Sequence, residues 1–186
     1  MLINDSSAPV SAEHVVLTAP AAFPDYERLI RLLRDSDSAT RTLAAWIGGP
    51  VSLDVVDRHD DRLLPTEFAD LDLWRPEPVQ RRTIRLLDKR KRVLSEATAA
   101  VALGRLPYCI ARALRDSDTP LGLLLASLHP KRNTLSVVRA PAPGNQQGSP
   151  LFDITARLDV GGLPVAVVSE RYLLEGCCDE REASAC

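Results

Sequence analysis

Aromatic side chains are scarce in this chain: Phe, Trp and Tyr make up 4% of its 186 residues. With 45% hydrophobic residues in all, a core must rest on Leu, Val, Ile and Ala, and the length suits one domain. An excess of positive charge is also missing. The formal net charge of -2 leaves no basic stripe for a polyanion, so nucleic acid is not an expected partner. No segment approaches the roughly 20 apolar residues of a spanning helix. The opening "MLINDSSAPVSAEHVVLTAPAAFP" has neither the basic start nor the apolar run of a secretory leader. No membrane association and a cytoplasmic location are therefore expected. Paired cysteines are absent too: Cys109 stands in an apolar helical pattern, and Cys177, Cys178 and Cys186 lie in the polar tail "EGCCDEREASAC". This pattern predicts Cys109 in the core and reduced tail thiols. His14, His59 and His129 form no HxH or HxxxH group, so no metal site is expected.

What is present reads as alternating short elements. "DYERLIRLLRDSDSATRTLAAWIGGP" has apolar residues at Leu29, Ile30, Leu32 and Leu33 and again at Leu43, Ala44, Trp46 and Ile47. That spacing predicts two short helices broken at "DSDS", the second capped by Asp37 or Ser38 and ended by Gly48-Gly49-Pro50. "VSLDVVDRH" alternates as a strand, and residues 60–78 read as a loop with a short turn of helix. A hairpin follows, with strands at 79–87 and about 93–103 around a charged turn. "RLPYCIARALRDSD" and "TPLGLLLASLH" form a helical hairpin, the second helix capped by Thr119 with Pro120 at its first position. "RNTLSVVRAP" is a strand, "APAPGNQQGSP" a loop, and two final strands flank Gly161-Gly162. This order predicts an α+β fold: a single antiparallel sheet with helices on one side, over residues 25–175. Residues 1–24 form an N-terminal extension and 176–186 a polar tail.

Two charges fall inside this apolar pattern. Alternation in "GGLPVAVVSERYL" puts Glu170 on one face with Ala166, Val168 and Tyr172. Either the strand is at an edge and Glu170 meets water, or the carboxylate is buried and needs a cation, a donor or a ligand. In "VQRRTIRLL", Arg82 shares a face with Ile84 and Leu86, while Arg81, Thr83, Arg85 and Leu87 share the other. Arg82 is thus a candidate partner for Glu170 or for an anionic ligand beside it. A one-residue slip exchanges Arg81 and Arg82. The "TPLG" helix start is a possible anion cradle, with Gly122 giving close backbone access.

The segments "SATRTL", "VQRRTIRLL", "LSEATAAVALGRLP", "SDTPLGLLL" and "GGLPVAVVSERYL", in this order and spacing, resemble the chorismate pyruvate-lyase (4-hydroxybenzoate synthase) family, and most of all its actinobacterial branch. The resemblance covers residues 25–175. It implies a sheet with a helical flap over an internal ligand cavity, a fold class shared with the ligand-sensing domains of GntR-type regulators. It also implies a cofactor-independent lyase that converts chorismate to 4-hydroxybenzoate and pyruvate. Residue by residue, it assigns Arg82 to the ring carboxylate and Glu170 to the 4-hydroxyl as the catalytic pair. Leu121 and Ala39 would contribute backbone contacts to the substrate, beside Gly122 and Thr40. Ala39 is smaller than the residue often found there. Glu170 can donate a hydrogen bond if neutral: burial favours that form and a nearby arginine opposes it. Replacing Arg82 by alanine is expected to abolish turnover with the fold retained. A monomer or weak oligomer is expected.

Three alternatives remain at this level. One is a non-catalytic aromatic-acid binder of the same fold, another a related lyase giving a different hydroxybenzoate isomer, and the third a protein in which Arg82 and Glu170 form only a buried ion pair. GntR-type regulators carry a winged-helix domain upstream, and the stretch before the first predicted helix is too short for one.

Overall fold

The computed structural model describes residues 26–75, 77–139 and 151–173. The N-terminal extension, the polar tail with its three cysteines and the 140–150 loop lie outside the described residues. Six strands form one antiparallel sheet: β1 (Ser52–Asp61), β2 (Val79–Leu87), β3 (Val93–Ala102), β4 (Lys131–Arg139), β5 (Phe152–Val160) and β6 (Leu163–Tyr172). Their spatial order is β1-β2-β3-β6-β5-β4, so β3 and β6 are central and β1 and β4 are the edges. Glu170 is therefore on a central strand, which removes the reading in which it meets water at an edge.

The helices are α1 (Tyr26–Arg34), α2 (Ala39–Ile47), α3 (Pro65–Asp70), α4 (Tyr108–Asp116) and α5 (Leu121–Leu125). α2 begins where the sequence places it. Ser38, in extended backbone, accepts a hydrogen bond from the Arg41 N–H, and Gly48 ends the helix with φ 67°. The β5–β6 hairpin turns on Gly161 and Gly162, both at positive φ (59° and 84°), as a two-residue turn matched to strand twist requires.

Two apolar clusters cover one face of the sheet. The first joins Leu29, Ile30 and Leu33 of α1 and Leu43 of α2 to Leu86, Ile154, Phe152 and Tyr172, the last two rings stacked with centroids 4.6 Å apart. The second joins Ala111 and Leu114 of α4 and Leu125 of α5 to Ala99, Val101 and Ala166. The opposite face is largely polar, with cross-strand pairs Arg85–Glu96 (2.8 Å) and Arg171–Asp153 (3.3 Å). α3 lies at one corner of that face, where Phe68, Leu71 and Leu73 pack on Val167, so the helices are not all on one side.

Two local expectations are corrected. Cys109 is exposed, because α4 turns Ala111 and Leu114 to the sheet and Cys109 lies off that stripe. α5 starts one residue later than its Pro signal suggests: Pro120 is the extended N-cap (φ -54°, ψ 136°), and no side chain caps the helix. No helix among the described residues is long and apolar enough to cross a membrane.

Candidate functional site

Between the two apolar clusters the covered face of the sheet does not close. A cavity of about 680 Å³ remains, within the range of small-molecule sites. Its floor is Arg82, Ile84 and Leu86 of β2, Ser95, Ala97 and Ala99 of β3, and Val168 and Glu170 of β6. The small side chains of Ala97 and Ala99, at the centre of the sheet, leave the space open. The roof comes from the start of α2 and from the 120–130 segment. All six residues expected at a substrate site, Ala39, Thr40, Arg82, Leu121, Gly122 and Glu170, line this one cavity. Leu121 and Gly122 are the first residues of α5, whose N–H groups have no acceptor within the helix.

Register decides between the two arginines. Arg82 points to the cavity and is 2% exposed. Arg81 is on the other face, where it bonds Glu67 at 2.7 and 2.9 Å and Asp61 at 2.8 Å. The bond to Glu67, with Asp61, raises the pKa of Arg81. Against the upward pull of burial, Arg81 and the Leu64 N–H hold the Glu67 carboxyl below its ordinary range.

Arg82 and Glu170 do not pair with each other. Ala97 faces Glu170 and Ala99 faces both Arg82 and Val168, so the two charges are two strands and one residue pair apart, roughly 12 Å between Cα atoms from standard strand spacings. The Arg82 guanidinium instead donates to backbone carbonyls: Leu114 O at 2.9 Å, Thr119 O at 3.0 Å and Ser117 O at 3.4 Å. It thereby ties the α4–α5 corner to the sheet. Arg58, its neighbour on β1, also donates to Ser117 O and pairs with Asp118 at 3.1 Å. Arg82 makes no ion pair, and its buried Nε–H has no acceptor among the described residues. Burial, with the charge of Arg58, lowers its pKa against the opposing pull of Asp118.

The cation beside Glu170 is Arg132 of β4, not Arg82. Arg132 Nη2 lies 2.7 Å from Glu170 Oε2, and both side chains are buried. The Tyr172 hydroxyl donates to the same oxygen at 2.8 Å, and Arg132 Nη1 donates to Leu33 O at 2.9 Å. Burial, then the Glu170 charge and hydrogen bond, raise the pKa of Tyr172 well above its ordinary value, keeping it a neutral donor. Glu170 Oε1 has no hydrogen-bond partner among the described residues. Arg132 went unnoticed in the sequence because β4 carries a register shift between Thr134 and Ser136, which breaks the alternation that would have shown which face it takes. Arg139 and Arg157, the basic residues nearest the final hairpin in sequence, point elsewhere: Arg139 pairs with Glu27 and Arg157 with Asp159. No group of three or more His, Cys, Asp or Glu among the described residues is placed to hold a metal ion.

No protein-family model matches the chain, and no curated protein is similar to it in sequence. Solved structures are similar in fold. The effector domain of PhnF from Mycobacterium smegmatis superposes with a TM-score of 0.55 at 15% identity, covering 73% of this chain and 88% of that one. The longer PhnF structure from the same organism gives a TM-score of 0.55 at 14% identity over 74% of this chain and 64% of that one. A ligand-binding domain assigned to the GntR family, from Bordetella bronchiseptica, gives 0.50 at 18% identity over 68% of this chain and 85% of that one. The six-stranded antiparallel α+β fold of this chain is thus the fold of GntR-family ligand-binding domains.

Proposed function

We propose that the protein is a chorismate pyruvate-lyase that works in the cytoplasm without a cofactor and forms 4-hydroxybenzoate. The observation that carries this reading is an aliphatic cavity lined at one end by Arg82, a buried arginine without an ion pair and with an Nε–H that has no acceptor among the described residues, and at the other by Glu170, whose Oε1 is unengaged among them. A flat ring with a carboxylate at one end and a hydroxyl opposite complements that pair. The Leu121 and Gly122 amides add donors beside the carboxylate, and the start of α2 closes over the ring.

Chorismate is such a ring with an enolpyruvyl ether at C3. In the reaction the C3–O bond breaks, the C4 proton is lost and its electron pair forms the new ring double bond. The enolpyruvate takes the ether electrons and a proton and becomes pyruvate. Aromatisation drives the step, so the protein mainly holds the ether in a reactive conformer and stabilises charge on the leaving group.

A second reading is an aromatic-acid binder without turnover. It is favoured by Glu170, whose Oε2 is already occupied by Arg132 and Tyr172, which leaves little free chemistry at that end. Incubation with chorismate, followed by chromatography for pyruvate and the hydroxybenzoate isomers, separates the two. Equal amounts of pyruvate and 4-hydroxybenzoate are expected. Another isomer would retain the substrate and move the chemistry, and no product with thermal stabilisation by 4-hydroxybenzoate would leave the binder.

Both readings need the space above Ala97, which belongs to neither apolar cluster. Ala97→Leu is expected to fill it, changing Tm by no more than a few degrees while abolishing the Tm increase given by 4-hydroxybenzoate. An undiminished ligand-induced shift would place the ligand elsewhere.

A further inference from the structure

The two apolar clusters identify the ends of the cavity. The α4–α5 cluster contains Ala99 and borders Arg82. The α1–α2 cluster contains Leu86 and Tyr172, with Ile84 and Ala39 packed against it, and borders Glu170. The first turn of α2 therefore lies over the Glu170 end, and it brings a further cation, Arg41, to the cavity wall. The Arg41 backbone N–H bonds Ser38 Oγ at 3.4 Å, but its guanidinium has no hydrogen bond or ion pair among the described residues. The two carboxylates on the cavity wall do not neutralise it: Glu170 is engaged by Arg132, and Asp37 makes no ion pair with Arg41.

We infer that Arg41 binds a second carboxylate of the ligand, so that the cavity selects a dicarboxylate over an aromatic monoacid. The inference rests on the orientation in the lyase reading. With the ring carboxylate at Arg82 and the 4-hydroxyl at Glu170, the ether substituent on C3 is adjacent to the hydroxyl-bearing carbon, at the α2 end. Its carboxylate meets the free planar fork of Arg41 there. The product has lost that group and gains nothing from Arg41. The residue thus favours substrate over product in the same cavity, a difference of affinities set by one charge.

The test uses the full chain with Arg41→Gln and Arg41→Lys. Calorimetry measures 4-hydroxybenzoate and its non-eliminating dicarboxylate ether, 3-(1-carboxyethoxy)-4-hydroxybenzoate, and steady-state kinetics measures chorismate. Arg41→Gln is expected to weaken the ether and raise the chorismate KM by about tenfold, with kcat little changed and 4-hydroxybenzoate affinity within about twofold of wild type. Arg41→Lys is expected to recover part of the loss. Equal weakening of both acids, or of neither, overturns the inference. Wild-type protein that binds both acids but leaves chorismate intact removes the lyase reading, and the ether result then judges Arg41 alone. Wild-type protein that binds neither removes both.

Discussion

Arg82→Lys is expected to lower kcat/KM for chorismate by at least about 100-fold while leaving a folded protein. Lysine keeps the charge but not the planar fork, and one ammonium cannot serve Leu114 O, Thr119 O and a ligand carboxylate together. Loss of a charge-assisted hydrogen bond from the Nε–H, worth about 3 kcal/mol, corresponds to that factor. Arg82→Ala is a less clean test than the sequence implies. It also removes the donor to three backbone carbonyls that tether the α4–α5 corner, so it is expected to cost roughly 3 kcal/mol of stability and lower Tm by about 10 °C. Fold and function would then fall together. A lysine variant with wild-type kcat/KM would show that Arg82 holds the corner and nothing else.

Arg132→Met is expected to destabilise the protein by about 3–5 kcal/mol, because it leaves the Glu170 carboxylate buried with the Tyr172 hydroxyl as its sole described partner. Adding Glu170→Leu in the same chain is expected to restore most of that loss, since an apolar pair of similar volume no longer needs its charge compensated. Urea unfolding of the two single variants and the double variant gives the coupling energy directly. If Arg132→Met alone unfolds within about 1 kcal/mol of wild type, water reaches Glu170 freely and the pair is not the closed unit described above. The same double variant should be inactive whatever its stability, because it lacks the oxygen assigned to the 4-hydroxyl. Recovery of stability without recovery of turnover would separate the structural role of Arg132 from the role of Glu170 in the site.

The strands that carry the site were legible because their side-chain period is local. Alternation within "VQRRTIRLL" puts Arg82 with Ile84 and Leu86, and within "VAVVSERY" puts Glu170 with Val168 and Tyr172. All of these except Tyr172 line the cavity, and Tyr172 meets Glu170 from the same face. Ser38 and Gly48 were legible for the same reason, since a cap concerns only the next few backbone groups. Cys109 was misplaced because "YCIARAL" carries apolar residues around more than one face, and only docking of α4 decides that Ala111 and Leu114 turn inward.

Local pattern, then, determined the elements, their approximate limits, the antiparallel α+β class and the faces of Arg82 and Glu170. Tertiary structure decided what those charges touch. Arg132 reaches Glu170 across 38 residues of chain and Arg82 reaches Thr119 across 37, through pairings that depend on strand order and on a register shift in β4. It also decided that two apolar clusters meet over Ala97 and Ala99 without closing. Whether facing side chains fill a space depends on the distance between packed elements, and no periodicity within one element contains that distance.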